Sequence, residues 1–296
     1  MAFYIAVFRT KTSSVMNKKP LVSIVLPTFN GERYLRQSIG SVISQQYKNW
    51  ELIIVDDHST DSTSAIIDEF TETDPRIKVI HNTTNQKLPK SLNIGFEKAK
   101  GDLLTWTSDD NLYLPNALGE MVDIFLSDSD LGFVFCAQEI IDQNGMPIES
   151  GVPKYKLFDL AYKNICGACF MYRREAARCT GTYDADLFCA EDYDYFCRLA
   201  LNTKTIYYPK ILYKYRKHSG NLSATRVELA DINANAVRLR YADRLICKYK
   251  PNWLNLQYIY YKLFKYTGRK QFALKCSLLN PLNILKIIYY ECKKYR

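Results

Sequence analysis

Between residues 20 and 107, short apolar runs alternate with segments of helical period, and this alternation restricts the fold of the chain more than any other feature. Val22-Ser-Ile-Val-Leu-Pro27 reads as a buried strand. Residues 31–46 read as a helix that gathers Tyr34, Leu35, Ile39, Val42 and Ile43 on one face. Glu51 to Asp56 is a second strand, and Ser59-Thr60-Asp61-Ser62 supplies capping side chains for a helix reaching about residue 72. Arg76 to Ile80 is a third strand. Pro89, which fits a first helical turn, opens the next helix, and Gly101, suited to the left-handed position past a last turn, is expected to end it. Residues 102–107 make the fourth strand. An order of this kind packs as an α/β fold with a largely parallel central sheet and helices on both faces, because parallel neighbours need a crossover between them.

In such sheets ligands bind beyond the carboxyl ends of the strands. Three polar clusters fall there: Pro27-Thr28-Phe29-Asn30, Asp56-Asp57-His58-Ser59 and Ser108-Asp109-Asp110. The last is the sharpest, since adjacent carboxylates at the end of an apolar strand repel each other unless a divalent cation or a sugar hydroxyl engages them. Capping of a helix that begins near Pro115 is the structural alternative, and Asp56 and Asp61 are open to the same role at the helix after the second strand. No G-x-G-x-x-G follows the first strand and no G-x-x-x-x-G-K-[ST] occurs, which disfavours a dinucleotide dehydrogenase or a P-loop NTPase. A pocket with acids and no glycine cradle has to hold a diphosphate through a hard cation, Mg²⁺ or Mn²⁺.

The chain resembles the family 2 glycosyltransferases, which have the GT-A (Rossmann-like) fold. The matching stretches are Val22-Ser-Ile-Val-Leu-Pro-Thr-Phe-Asn-Gly31, Ser41-Val-Ile-Ser-Gln-Gln46, Trp50-Glu-Leu-Ile-Ile-Val-Asp-Asp-His-Ser-Thr-Asp61, Gly101 to Asp110, and Ala190-Glu191-Asp192-Tyr193-Asp194. The resemblance implies transfer of a sugar from a nucleotide diphosphate donor, usually UDP-linked, with inversion at the anomeric carbon. It also implies that Pro27, Thr28 and Phe29 line the nucleoside pocket with Glu32 at its edge. Asp57 would accept a hydrogen bond from uracil, with Asp56 the weaker candidate; Asp109 would bind the ribose or a metal-bound water, and Asp110 the metal. Where the family often reads N-x-G-L-x-x-x-R-N, this chain has Lys87 for the glycine and Leu92 for the arginine. Lys87 or Lys90 is then the candidate point charge for the diphosphate, with a solvated face as the alternative for each.

A metal-bound diphosphate leaves without a protonated side chain, so one carboxylate base suffices where a glycosidase needs a pair. The resemblance nominates Asp192. Residues 191–201 have helical period, and acids at the start of such a helix also interact favourably with its dipole. Of the three histidines, His58 and His81 read as incidental. His218, in Tyr215-Arg216-Lys217-His218-Ser219-Gly220-Asn221-Leu222-Ser223, resembles the loop that closes over the donor phosphates, where it could contact the diphosphate or the metal.

The nine cysteines lie mostly in apolar runs, and no partner motif completes a zinc site with Cys166 and Cys169, so they read as reduced thiols of a cytoplasmic protein. Residues 1–19 form an N-terminal extension with neither signal-peptide nor membrane-span character, and Met16 is an alternative start. Residues 20–225 are expected to form the catalytic domain and 226–296 a basic helical appendage. Residues 244–296 hold 12 Lys and Arg against the single acid Glu291, together with eight tyrosines. That composition fits an anionic membrane surface, or else a helical hairpin packed on the catalytic domain with a solvated basic face. Nucleic acid is not expected, since no binding module accompanies the charge.

The function expected from these features is metal-dependent, inverting glycosyl transfer to a saccharide or lipid-linked acceptor in surface-polysaccharide assembly, by a protein peripheral on the inner face of the cell membrane. A non-catalytic sugar-nucleotide-binding scaffold is the alternative from another class, and it would have no use for a base at Asp192. A nucleotidyltransferase is disfavoured by the lack of a G-x-G-T-R-like opening.

Overall fold

The computed structural model describes residues 19–149 and 151–279. Most of the N-terminal extension, Met16, the end of the basic tail and Cys292 lie outside the described residues. Strands β1 (Val22–Thr28), β2 (Trp50–Asp56), β3 (Ile77–His81) and β4 (Leu103–Trp106) alternate with helices α1 (Leu35–Ile43), α2 (Thr63–Thr73) and α3 (Lys87–Lys98). After β4 come β5 (Leu112–Tyr113), α4 (Ala117–Ser127), β6 (Leu131–Ile141), β7 (Pro147–Glu149), β8 (Phe170–Arg173), α5 (Arg174–Thr180), α6 (Glu191–Asn202) and β9 (Lys204–Arg216). The described chain ends with α7 (Leu222–Thr225), α8 (Val227–Tyr249), α9 (Trp253–Thr267) and α10 (Lys270–Leu279).

One sheet holds all nine strands in the order β3-β2-β1-β4-β8-β6-β9-β5, with β7 paired to β6. The first four are parallel, as the crossovers require. Beyond β4 the directions mix: β8 runs antiparallel to both β4 and β6, whereas β6 and β9 are parallel. Every residue of β1 and β2 is buried, and alternate side chains feed two cores. Val25, Ile53 and Val55 face α3, α6 and α8, while Ile24, Leu26, Leu52 and Ile54 face α1, α2 and α4.

Two expectations about the third helix need correction. It begins at Lys87, two residues before Pro89, and the proline is tolerated because first-turn amides have no intrahelical acceptor. Gly101 is not its left-handed terminator; the helix ends at Ala99 in extended backbone. A glycine is needed at 101 because a Cβ there would meet the amide nitrogen of Ser23 and the carbonyl oxygen of Leu21, and the Gly101 N–H donates to Ser23 Oγ at 2.7 Å.

The C-terminal helices are built into the core. Val237 and Leu245 of α8, Ile259 and Leu263 of α9 and Phe272 of α10 join the cluster that contains Phe133 of β6 and Phe196 of α6. Gly268, at φ +67°, reverses the chain between α9 and α10, so the expected hairpin forms. A chain ended at Asp243 would therefore lose Leu245, Ile259, Leu263 and Phe272. At about 1.5–3 kcal/mol for each buried side chain, against a typical total of about 5–15 kcal/mol, it is expected to melt far below the full chain or to fail to fold. Circular dichroism melts of the two proteins check this; equal midpoints would mean that the helices add nothing to the core.

Candidate active site

A cavity of about 800 Å³ opens at the carboxyl ends of β1, β2 and β4 and is bounded by the start of α6 and by the loop 217–222. The register brings its parts together. Thr28 lies beside Asp56, and Val25 pairs with Trp106, so the turn after β4 folds back over the end of β1. There Thr28 Oγ1 donates to Asp109 Oδ2 at 2.6 Å. Gly31 allows this approach, since a Cβ at that position would collide with Asp109 Oδ2 and Thr28 Oγ1. Pro27, Thr28 and Phe29 line the cavity, and the Phe29 ring is 48% exposed.

Asp57 also lines the cavity. It is buried and accepts from Asn82 Nδ2 at 2.7 Å, Gln86 N–H at 2.7 Å and Lys87 N–H at 2.8 Å. These occupy three of about four lone-pair positions, which leaves one for a ligand. Asp56 and Asp61 serve the loops instead: Asp56 accepts from Ser59 N–H and meets His81 Nδ1, and Asp61 accepts from the amides of Thr63 and Glu32. Glu32 lies outside the cavity lining, where its carboxylate accepts from the Ser62 amide at the start of α2. Lys90 is exposed and does not line the cavity, because its position on α3 turns it to solvent; Lys87 does line it. The backbone at Lys87 has φ +65°, a left-handed conformation that explains why glycine suits this position. Asn30 and Cys189, also in the lining, share this conformation at φ +53° and +72°, so strained backbone gathers around the cavity.

Asp109 and Asp110 line it and cap no helix; the residue before α4 is Asn116. Burial and the charge of Asp110 push the Asp109 carboxyl up to about 7, and burial raises Asp110 as well, against the opposing effect of His218. Asp110 Oδ2 meets His218 Nε2 at 3.0 Å and accepts from Asn221 Nδ2 at 2.9 Å, while its buried Oδ1 has no hydrogen-bond partner. Gly220 N–H points to His218 Nδ1, which assigns the proton to Nε2 and makes this histidine a donor to the carboxylate. Among the described residues no group of three His, Cys, Asp or Glu side chains forms a ready metal cage. Two carboxylates held at a protonation cost, one with an orphaned oxygen, fit a hard cation that completes its sphere with phosphate oxygens and water.

Asp192, at the start of α6, also lines the cavity and is partly exposed. Its Oδ1 accepts from Tyr193 N–H at 2.6 Å and its Oδ2 from Asn164 Nδ2 at 2.9 Å. Burial raises its affinity for a proton, and burial together with the neighbouring Asp192 raises that of Glu191. Asp194 is no alternative base: it is fully buried and tied to Arg198, Arg240 and the Tyr241 hydroxyl.

The family model for glycosyl transferase family 2 matches residues 23–181, more than half of the chain. The chain belongs to glycosyltransferase family 2. An uncharacterized glycosyltransferase of Rickettsia typhi is 30% identical over 218 residues, which are 70% of this chain and 67% of that protein. Chondroitin synthase of Escherichia coli is 28% identical over 241 residues, 80% of this chain and 35% of that longer protein. Among solved structures, a mannosyltransferase of Pyrobaculum calidifontis in complex with GDP-Man and Mn²⁺ has a TM-score of 0.62 at 18% identity, covering 90% of this chain and 81% of that one. TarS of S. aureus in complex with UDP-GlcNAc has a TM-score of 0.58 at 18% identity, covering 82% and 81%. At these identities the two structures speak for the GT-A fold.

Several residues of this glycosyltransferase that hold its cavity in shape take their roles from the fold alone, although Arg216 and Asn221 stand in the loop motif around His218. Arg216, at the end of β9, is 1% exposed. Its Nε donates to the Asp110 carbonyl at 2.9 Å, its Nη2 to Gln37 Oε1 at 2.8 Å and its Nη1 to the Gln143 carbonyl at 3.1 Å, and its guanidinium lies 4.5 Å from the centre of the Tyr34 ring. It ties the Asp110 turn to α1 and to the β6–β7 hairpin. The roles of Asn221 and Asn164 are revealed only by their contacts with Asp110 and Asp192.

Proposed function

We propose that this glycosyltransferase moves a sugar from a nucleotide diphosphate donor, UDP-linked, to a hydroxyl of a saccharide or lipid-linked acceptor, with inversion and with Mn²⁺ or Mg²⁺. The observation that carries the reading is one cavity lined both by the Asp109–Asp110 pair and by a partly exposed carboxylate, Asp192. Phe29 and Asp57 bind and orient the base, Asp57 through its remaining lone pair. Asp109 and Asp110 would hold the cation, which when bound offsets charge developing on the leaving diphosphate. His218 and Asn221 keep the Asp110 carboxylate in position.

Asp192 takes the proton of the acceptor hydroxyl as its oxygen attacks the anomeric carbon. The bond from that carbon to the diphosphate oxygen breaks on the opposite face, and its electron pair leaves with the diphosphate. Asn164 and the Tyr193 amide orient Asp192 for this transfer. The UDP preference rests on the family resemblance and on TarS, which binds UDP-GlcNAc; the metal is supported by the mannosyltransferase complex with Mn²⁺. A role in surface-polysaccharide assembly is supported by the relation to chondroitin synthase. No described helix is long and apolar enough to cross a membrane. The basic composition of residues 244–296 supports a place on the inner face of the cell membrane.

A panel of nucleotide sugars incubated with enzyme and Mn²⁺ tests the reading. Release of UDP from at least one UDP-sugar, abolished by EDTA, is expected. Turnover that persists in EDTA would remove the metal from the proposal, and turnover of other nucleotide sugars alone would remove UDP.

A further inference from the structure

Ten of the fifteen large hydrophobic side chains that stand exposed among the described residues fall between residues 227 and 278. On α9, Leu254 and Lys265 are eleven residues, about three turns, apart and lie on the side away from Ile259 and Leu263, while Trp253 and Phe264 stand exposed at its two ends with the buried Gln257 between them on the same side. Trp253 is 50% exposed, Leu254 52% and Phe264 39%. On α10, Lys270, Leu274 and Leu278 follow at intervals of four and form a second exposed stripe, on which Leu274 is 60% and Leu278 76% exposed. Apolar side chains this open are not core residues of this fold, for the core sides of the same helices are occupied by Ile259, Leu263 and Phe272.

Charge selects the partner. Residues 244–279 contain eight Lys and Arg and no acid. Lys250, Arg269 and Lys270, which flank the stripes at the start of α9 and at the turn into α10, are all exposed. A second copy of this face would bring cations against cations, which disfavours self-pairing. Exposed indole and leucine side chains interleaved with lysine and arginine match the boundary between acyl chains and anionic headgroups.

We infer that the outer face of the α9–α10 hairpin is a docking surface for an anionic lipid bilayer. The inference deepens the peripheral-membrane reading above by assigning the residues that make the contact. The hairpin is anchored to the catalytic core from its other side, so docking would hold the cavity near the bilayer, where a lipid-linked acceptor resides.

The full-length protein carries its own reporter. Trp50 and Trp106 are 2% and 8% exposed, so Trp253 is the tryptophan free to respond to lipid. Adding vesicles of phosphatidylglycerol mixed with phosphatidylcholine, at low salt and without nucleotide, is expected to shift the emission to the blue and to float the protein with the vesicles. Trp253→Phe should abolish the shift and keep most of the flotation. The triple change Lys250→Glu, Arg269→Glu and Lys270→Glu should weaken vesicle binding by about 100-fold, and Leu254→Ser with Leu274→Ser should weaken it by at least about tenfold, each with an unchanged melting midpoint. Equal binding to pure phosphatidylcholine, undiminished binding of the triple variant, or no flotation at low salt would overturn the inference. A blue shift that grows with protein concentration in the absence of vesicles would overturn it in favour of self-association. Flotation is read without nucleotide and sugar release without vesicles, so failure of docking and failure of the catalytic proposal are told apart.

Discussion

Asp192→Asn is expected to lower turnover by about two to four orders of magnitude while leaving donor affinity within a few-fold of the wild type. The amide is nearly isosteric and its oxygen can still accept from the Tyr193 amide, though its NH2 then faces the Asn164 donor, and it cannot take a proton. The pH dependence gives the change a second signature. Burial raises the proton affinity of Asp192, so the carboxylate is protonated and idle at pH values where an ordinary aspartate is already ionised. Activity should therefore rise with pH through a range above the usual carboxylate value of about 4, and the part of this limb that belongs to Asp192 should vanish from the variant, leaving any part set by Asp109 and Asp110. Steady-state kinetics at saturating donor, across pH, check both points. Turnover near wild type would move the base elsewhere, with the cavity-lining Glu191 the next residue to test.

Asp110→Asn is expected to weaken UDP binding in Mn²⁺ by more than about 100-fold, since loss of outer-shell partners alone costs metal sites about 10–100-fold. Titration calorimetry with and without EDTA should find the two proteins alike in the chelator and far apart in metal. The same change should not lower the melting midpoint near neutral pH. Asp109 and Asp110 both hold protons more tightly in the fold than an ordinary aspartate does, so the folded state binds more protons than the unfolded one as pH rises through that interval. The pair thus costs stability above it, and neutralising one member relieves the other. Equal UDP affinity of the two proteins in Mn²⁺ would refute the assignment of Asp110 as a metal ligand.

Most of the first half of this fold is legible in the chain. Hydrophobic period identifies β1 to β4 and their helices because each is a local element whose buried face repeats within a few residues. Helix ends are less legible. Gly101 carries the composition of a helix terminator, yet its place is dictated by Ser23 and Leu21, some eighty residues earlier. The mixed directions of β8, β6 and β9 could not be read either, because pairing partners far apart in the chain leave no local period. The same holds for residues 138–190, which send Gly167 to the cavity and Asn164 to Asp192 from a region without regular pattern.

By itself the sequence determined the α/β class, the strand ends at which the polar clusters stand, and the family, because apolar period and short motifs are properties of neighbouring residues. Only the tertiary structure decided which carboxylates are available to a ligand. Asp56, Asp61 and Asp194 resemble Asp57, Asp109 and Asp192 in sequence, but the fold adds to their local partners His81 for Asp56, the Glu32 amide for Asp61 and Arg240 for Asp194. Packing likewise decided between the two expected arrangements of the helices after residue 226, joining one face to the cluster of Phe133 and Phe196 and leaving apolar side chains on the other open. The reason is common to both: whether a polar group or an apolar face is already satisfied depends on what the rest of the chain brings to it.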